Sequence, residues 1–241
     1  VFSSGSLFLV NTKFAERQLT ALGCPVEKVR ILPQGIKLDD FPYVKKSFPA
    51  DGKVVLLTVA RFHKDKGHVY AIRAVASLIR QGYKLEYNIV GVGPEHGNIE
   101  SSIEALGMKG YITVMNDERL REQYKQAHIF ILPSVRDTEG VSKETQGVVI
   151  QEAQASGAIV IATRTGGIPE CVIDGENAFL VPDRNADAIE EKIKDIVAQP
   201  EKWSTWQDNA RQHVEANFAI EILGDKLWTI YDGLVAKSVA S

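Results

Sequence analysis

The chain has 241 residues, of which 44% are hydrophobic and 24% are charged, and its formal net charge is -3. This size and composition are sufficient for a full apolar core in one large or two small domains. A slightly acidic chain has no overall basic field, so composition gives no support to nucleic-acid binding.

The cysteines and the apolar runs define the expected environment. Cys24 and Cys171 are the only cysteines, and the lack of Cys-x-x-Cys spacing argues against a disulfide scaffold or a zinc ribbon. No apolar run reaches the roughly 18 residues of a spanning helix, and no export signal is visible. We therefore expect a cytoplasmic protein. Because the chain begins at Val1 and not at methionine, we also expect that residues precede it.

Short elements are predicted at the start of the chain. A strand, a helix and a second strand are predicted at residues 7–11, 12–22 and 29–32. Asn11 or Thr12 caps the helix, and Gly23 ends it. Residues 37–52 mix Asp, Pro, Lys and Ser without periodicity, which predicts a linker or a surface loop.

Apolar strands alternate with helices from residue 53 onwards. The predicted strands are residues 54–60, 87–90, 112–115, 129–132, 159–162 and 178–181. The predicted helices are residues 67–81, 95–106, 118–127, 147–156, 167–173 and 186–198, with two more in the tail at 203–235. This order predicts an α/β fold with a doubly wound parallel sheet, whose ligands bind at the carboxyl ends of the strands.

Two carboxylates flank the start of the helix predicted at 147–156. Glu144 precedes it, and Glu152 lies eight positions further on. Amides at a helix start attract anions and hydroxyl-rich ligands, so Glu144 could accept bonds from sugar hydroxyls and Glu152 from a ribose. Alternatively, Glu144 only complements the helix dipole and Glu152 is a solvated helix position. A second helix start after Gly166-Gly167 would suit a diphosphate-linked ligand at the same edge.

Two basic residues and two glycines follow neighbouring predicted strands. Arg61 and Lys66 could clamp a diphosphate and neutralise the charge on a leaving nucleotide, the alternative being a solvated basic loop. Gly91 and Gly93 could form a simple turn or let the backbone approach a nucleotide. This Gly-x-Gly lacks the third glycine of a dinucleotide fingerprint, so NAD binding is not expected.

Taken in order, these motifs resemble the donor-binding signature of retaining glycosyltransferases of family 4, which have the GT-B fold. The matching segments are Arg61-x4-Lys66-Gly67, Gly91-x-Gly93-Pro94, Pro133-Ser134, Glu144 to Glu152, Gly166-Gly-Ile-Pro-Glu170 and Asp174-Gly175-Glu-Asn177. The resemblance runs from about Leu9 to Tyr231. It implies that the chain is the Rossmann-like, donor-binding half of an enzyme that transfers a sugar with retention of configuration.

The resemblance also implies a role for each site residue. Arg61, Lys66 and Glu144 are expected to be catalytic, the two cations on the diphosphate and the carboxylate on the sugar. Residues expected to bind the rest of the donor are Glu152 at the ribose, the amides of Gly147 and Val148, the loop of Gly91 and Gly93, and Met115 and Asn116 at the base. No Asp-x-Asp motif is present, so neither a metal nor a cofactor is expected. The substrate would be a UDP-sugar or a GDP-sugar.

Domain boundaries and partners follow from the same resemblance. The expected parts are the end of an N-terminal acceptor domain (1–35), a linker (36–52), the nucleotide-sugar-binding domain (53–200) and helices that pack toward the missing N-terminal domain (201–241). Without that domain, we expect the isolated chain to be an inactive part of a hexosyltransferase. The alternative is a stand-alone sugar-nucleotide-binding module without catalysis.

The loop at residues 135–143 is longer than a minimal turn and resembles a subset of the family that acts on exopolysaccharide or lipid-linked precursors. By this analogy, the expected process is polysaccharide biosynthesis with a lipid-linked or polysaccharide acceptor, at the inner face of the membrane in the full-length enzyme. Glu139 in this loop is a competing start for the acidic motif, but it lies too far from Glu152.

Overall fold

The structure is a computed structural model that describes residues 2–116, 120–137 and 142–239, with side chains as far as residue 235. This part of the chain forms eight strands and eight α-helices. The strands are β1 (Phe8–Val10), β2 (Val29–Ile31), β3 (Val54–Val59), β4 (Leu85–Val90), β5 (Ile112–Met115), β6 (Ile129–Leu132), β7 (Ile159–Thr163) and β8 (Phe179–Val181). The helices are α1 (Lys13–Ala21), α2 (His68–Arg80), α3 (His96–Ala105), α4 (Leu120–Gln126), α5 (Val148–Ala155), α6 (Ala186–Val197), α7 (Trp203–Asn217) and α8 (Ile220–Val239).

Six of these strands form one parallel sheet in the order β5-β4-β3-β6-β7-β8. The sequence order of the strands reverses between β3 and β6. This arrangement is that of a doubly wound sheet, in which ligands bind outside the carboxyl ends of the strands at the reversal point. The predicted doubly wound α/β fold is therefore confirmed.

Helices cover both faces of this sheet because successive strand residues point to opposite sides. Leu56 of β3 belongs to a core with residues of α2, α3 and α6, whereas its neighbour Leu57 belongs to a second core with α4 and α5. Both side chains are fully buried. The continuous apolar strands predicted from the sequence thus lie between two hydrophobic layers.

The start of the chain forms a separate two-stranded parallel sheet, β1-β2, joined by α1. Thr12 is the N-cap of α1, since its side chain accepts a hydrogen bond from the amide of Ala15. Gly23 follows the helix with a φ of 93°, a left-handed conformation that glycine adopts at little cost. The domain boundaries given above stay a prediction.

The prediction of a helix at residues 167–173 is wrong. The structure has only a single 3-10 turn there, Ile168–Glu170. The amide of Ile173 donates to the side chain of Asn177, and the amide of Gly175 donates to the carbonyl of Ala178, so the chain turns directly into β8. A helix that reached residue 173 would need the Ile173 amide for its own hydrogen bonds.

The two predicted tail helices are present as α7 and α8. Helix α7 buries Trp203 and Val214 against the domain, whereas α8 leaves Trp228, Tyr231 and Val235 exposed. Whether α8 packs toward a further domain stays a prediction. Among the residues that the structure describes, no helix is both long and apolar enough to span a bilayer.

Candidate functional site

The loops that follow β3 and β6 meet through an ion pair at the reversal point of the sheet. The ammonium of Lys66 lies 2.7 Å from Oε2 of Glu144, and the two side chains are only 10% and 14% exposed. The hydroxyl of Ser134, which follows β6, donates to the same carboxylate oxygen at 3.2 Å. The structure therefore brings two predicted site residues together at the edge where such sheets bind ligands.

Glycine makes the approach of these two loops possible. Lys66 ends a 3-10 turn, and Gly67 follows it with a φ of 62°. A Cβ atom on Gly67 would lie 2.1 Å from the carbonyl oxygen of Pro133. Any other residue would therefore push the Lys66 loop away from the end of β6.

The Gly166-Gly167 pair supports the backbone that carries Glu144. A Cβ on Gly166 would lie 1.9 Å from the carbonyl oxygen of Glu144, and one on Gly167 would lie 1.9 Å from that of Thr145. The amide of Gly167 donates to the Glu144 carbonyl at 3.0 Å. The glycines thus permit close backbone packing instead of opening a second helix toward a ligand.

Helix α5 begins directly after this loop, with Gly147 as a left-handed N-cap residue. Val148 is its first residue, so the amides at this start lie close along the chain to Glu144. One turn further on, the carboxylate of Glu152 accepts a hydrogen bond of 2.7 Å from the hydroxyl of buried Tyr124. Burial raises the pKa of Glu152, an effect that the tyrosine hydrogen bond opposes. Glu152 is therefore a half-buried residue, and its contact with a ribose stays a prediction.

Arg61 differs from Lys66 in its surroundings. Its side chain is exposed and makes no hydrogen bond or ion pair with the residues that the structure describes. Its carbonyl oxygen is in contact with Nε2 of buried His68, which fixes the backbone of the loop. The guanidinium is thus available for an anion, and its role on a diphosphate stays a prediction.

Gly91 and Gly93 pack against the loop that follows β3. Added Cβ atoms would lie 2.0 Å from the carbonyl oxygen of Ala60 and 2.4 Å from that of Phe62. The amide of Phe62 also donates to the carbonyl of Val92 at 2.8 Å. Backbone packing alone accounts for the Gly-x-Gly, and contact with a nucleotide stays a prediction.

Met115 and Asn116 lie at the end of β5, the edge strand beside β4. The carbonyl of Met115 accepts a hydrogen bond from Gly91, and the side chain of Asn116 is exposed. A base contact at these residues stays a prediction. The competing acid Glu139 lies outside the described residues, as do residues 138–141 of the extended loop.

A cleft of about 760 Å³ lies between the first turns of α2 and α3. None of the ten predicted site residues lines it. The loop of residues 63–68 contributes several of its walls, so the cleft adjoins the segment that carries Lys66. In the described ranges, no three His, Cys, Asp or Glu side chains are grouped so that they could hold a metal ion.

Three residues near the predicted site were missed as contributors to its geometry. Ser134 bonds Glu144, Tyr124 bonds Glu152, and the side chain of Gln146 bonds the backbone of Gln34. Of these, only Ser134 gave a sequence signal, because it belongs to the quoted Pro133-Ser134 pair.

Comparison with known proteins identifies the family of the chain. The model of the family described as glycosyl transferases group 1 matches residues 40–213. The chain belongs to this family. Among its relatives, the amylovoran biosynthesis glycosyltransferase AmsK of Erwinia amylovora is 29% identical over 192 residues, 78% of this chain and 47% of AmsK.

Two solved structures have the same fold. Sucrose-phosphate synthase of Thermosynechococcus elongatus matches with a TM-score of 0.84 and 26% identity, over 98% of this chain and 60% of that protein. HepE of Anabaena, in complex with UDP-glucose, matches with a TM-score of 0.83 and 18% identity, over 95% and 64% of the two chains. The chain thus spans about half the length of AmsK and less than two thirds of these structures.

Proposed function

We propose that this chain is the donor-binding half of a retaining glycosyltransferase and binds a nucleotide-diphosphate sugar at the crevice between β3 and β6. The observation that carries the proposal is the Lys66–Glu144 pair, at 2.7 Å, where the strand order reverses. A cation suited to phosphate and a carboxylate suited to sugar hydroxyls lie side by side there.

The chemistry assigned to each group follows from charge. Breaking the bond between the sugar and the diphosphate places negative charge on the leaving nucleotide, which Lys66 and the exposed Arg61 neutralise. Glu144 accepts hydrogen bonds from the sugar, and Glu152 from the ribose. The amides of Gly147 and Val148, at the start of α5, complete the pocket by donating to the donor. Positioning and charge stabilisation are the contributions required of this half.

Donor binding changes the partner of Lys66. The ammonium donates to Glu144 and lies 3.7 Å from Oδ2 of Asp65. A diphosphate competes for this ammonium and leaves the Glu144 carboxylate available to sugar hydroxyls. The Lys66–Glu144 ion pair thus gives way to two contacts with the donor.

The donor class is a UDP-sugar or a GDP-sugar, and the complex of HepE with UDP-glucose supports a nucleotide-sugar donor. The biosynthetic role of AmsK in amylovoran formation supports a polysaccharide or lipid-linked acceptor. Acceptor binding and transfer require the other half of the enzyme, so the isolated chain binds the donor with little or no transfer.

Calorimetric titration with UDP-, GDP- and ADP-sugars tests the proposal. One donor should bind, and Arg61→Ala and Lys66→Ala should each weaken its affinity at least about tenfold, or about 1.4 kcal/mol. Lys109→Ala, which alters an exposed lysine paired with Glu104, is the matched control and should bind like the wild type. Wild-type affinity in both Arg61→Ala and Lys66→Ala would contradict the phosphate contacts.

A further inference from the structure

The loop that carries Glu144 is held by Gln146, whose side chain forms hydrogen bonds with both the amide and the carbonyl of Gln34. Oε1 of Gln146 accepts from the amide of Gln34 at 2.7 Å, and Nε2 of Gln146 donates to the carbonyl of Gln34 at 2.9 Å. Gln146 is only 1% exposed. The carboxamide therefore bonds Gln34 as a neighbouring strand would, with one donor and one acceptor.

Gln34 lies in the connection between the small sheet and the main sheet, and this connection is fixed on its other side as well. The amide of Ile36 donates to the carbonyl of Phe218, and the amide of Ile220 donates to the carbonyl of Ile36. A Cβ on Gly35 would lie 3.0 Å from Cα of Ile220. The connection is thus held between the turn joining α7 to α8 and the side chain of Gln146.

The start of the chain makes further contacts with the Glu144 loop. The hydroxyl of Thr12 donates to the carbonyl of Thr145 at 2.8 Å, and Gln18 donates to the carbonyl of Ser142 at 3.4 Å. The amide of Gly167 donates to the carbonyl of Glu144, so much of the loop backbone is hydrogen-bonded to segments distant in sequence. A shift of the small sheet or of its connection would therefore move the loop.

We infer that Gln146 is a positioning residue, which fixes the position of the Glu144 carboxylate through its two hydrogen bonds to Gln34. Glu144 precedes Gln146 by two residues, and Gly147, the cap of α5, follows it directly. Loss of the carboxamide frees the loop between its remaining supports and changes where the carboxylate meets the sugar. Diphosphate contacts at Arg61 come from another loop and are unaffected. The inference rests on the proposed function.

The structure supplies a matched control for this role. Gln207 of α7 is fully buried and makes the same two bonds to the backbone of Lys46, at 2.7 and 2.8 Å. Gln146→Met and Gln207→Met therefore remove the same pair of bonds to a distant backbone, and both should lower stability. Gln146→Met also removes a longer contact, 3.4 Å, from Nε2 to Oε1 of Gln151. Only the first lies beside Glu144, so only the first should alter recognition of the sugar.

The test is the ratio of two dissociation constants, that of the nucleoside diphosphate and that of its sugar derivative, with UDP and UDP-glucose or GDP and GDP-mannose as probes. Glu144→Gln should change this ratio by about tenfold, the effect of one lost hydrogen bond to a charged group. Gln146→Met should change it in the same direction, and the double variant should change it no further. Gln207→Met should keep the wild-type ratio.

Three results would overturn the inference. If Gln146→Met keeps the ratio while Glu144→Gln changes it, the glutamine is merely structural and the proposed function stands. If the two effects add in the double variant, Gln146 does not act through Glu144. If the wild type binds neither pair of probes, the proposed function fails, and the inference fails with it.

Discussion

The ammonium of Lys66 and the carboxylate of Glu144 lie 2.7 Å apart, although 78 positions separate them in the chain. Both groups are largely shielded from water. A charge left in such a place without its partner cannot recover its hydration, so each side chain depends on the other. Stability and donor binding are therefore coupled at this pair.

Lys66→Met is expected to lower the free energy of unfolding by about 3 kcal/mol, because it leaves Glu144 charged and without a cation. Arg61→Met, at an exposed side chain of the same loop, should change it by less than about 0.5 kcal/mol. Urea unfolding of the two variants measures the difference. Adding Glu144→Gln to Lys66→Met should restore part of the loss, and strict additivity would contradict a coupled pair.

Glu152→Gln is expected to stabilise the fold at pH 7 and to weaken donor binding about tenfold through the loss of a charged contact with the ribose. Burial raises the pKa of Glu152, so its ionised form destabilises the folded state at neutral pH. The contribution of this carboxyl to stability is fully present below its pKa in the unfolded chain, near 4.5. It is lost as the pH rises through its higher pKa in the folded state.

The stability difference between Glu152→Gln and the wild type should therefore shrink as the pH is lowered toward 4.5. Urea unfolding between pH 4.5 and 8 measures it. Glu176→Gln, at an exposed position, is the control and should follow the wild type throughout. A wild type that is more stable than Glu152→Gln at pH 7 would refute the assignment of burial as the dominant effect.

Gly91→Ala is expected to destabilise the fold by about 2 kcal/mol or more, because the new Cβ would lie 2.0 Å from the Ala60 carbonyl oxygen. Gly97→Ala is the matched control. No atom lies within 4 Å of a Cβ added there, and the residue is helical, so this change should be neutral or stabilising by up to about 1 kcal/mol. Thermal unfolding distinguishes them, and similar melting temperatures would show that the close packing is unimportant.

The free energy of unfolding of the wild type is expected to rise between pH 8 and 9.5 relative to that of the Lys46→Met variant. Burial lowers the pKa of Lys46 to about 8. The residue is only 8% exposed, and its ammonium donates a hydrogen bond to the Ser156 carbonyl. Above that pH the unfolded chain binds this proton more tightly, so unfolding becomes less favourable by up to about 1.4 kcal/mol per pH unit. Denaturant midpoints that run parallel for the two proteins would contradict this.

Local patterns predicted the main sheet well because its strands are short apolar runs between helices. β5 and β6 have the predicted bounds, and the reversal of strand order followed from the general rule for such folds. The helix at 167–173 was wrong because Gly166 and Gly167 serve a contact with the Glu144 loop, which no local pattern reveals. Local sequence cannot predict a pairing such as Gln146 with Gln34, 112 positions away.

The hydroxyl of Thr12 has two partners, accepting from the amide of Ala15 and donating to the carbonyl of Thr145. Scales of helix-capping preference rank aspartate above threonine at such a position. A carboxylate would preserve the cap but has no proton to offer Thr145, and it would repel that oxygen. A substitution chosen only to improve the cap of α1 would therefore loosen a segment 133 positions further along the chain.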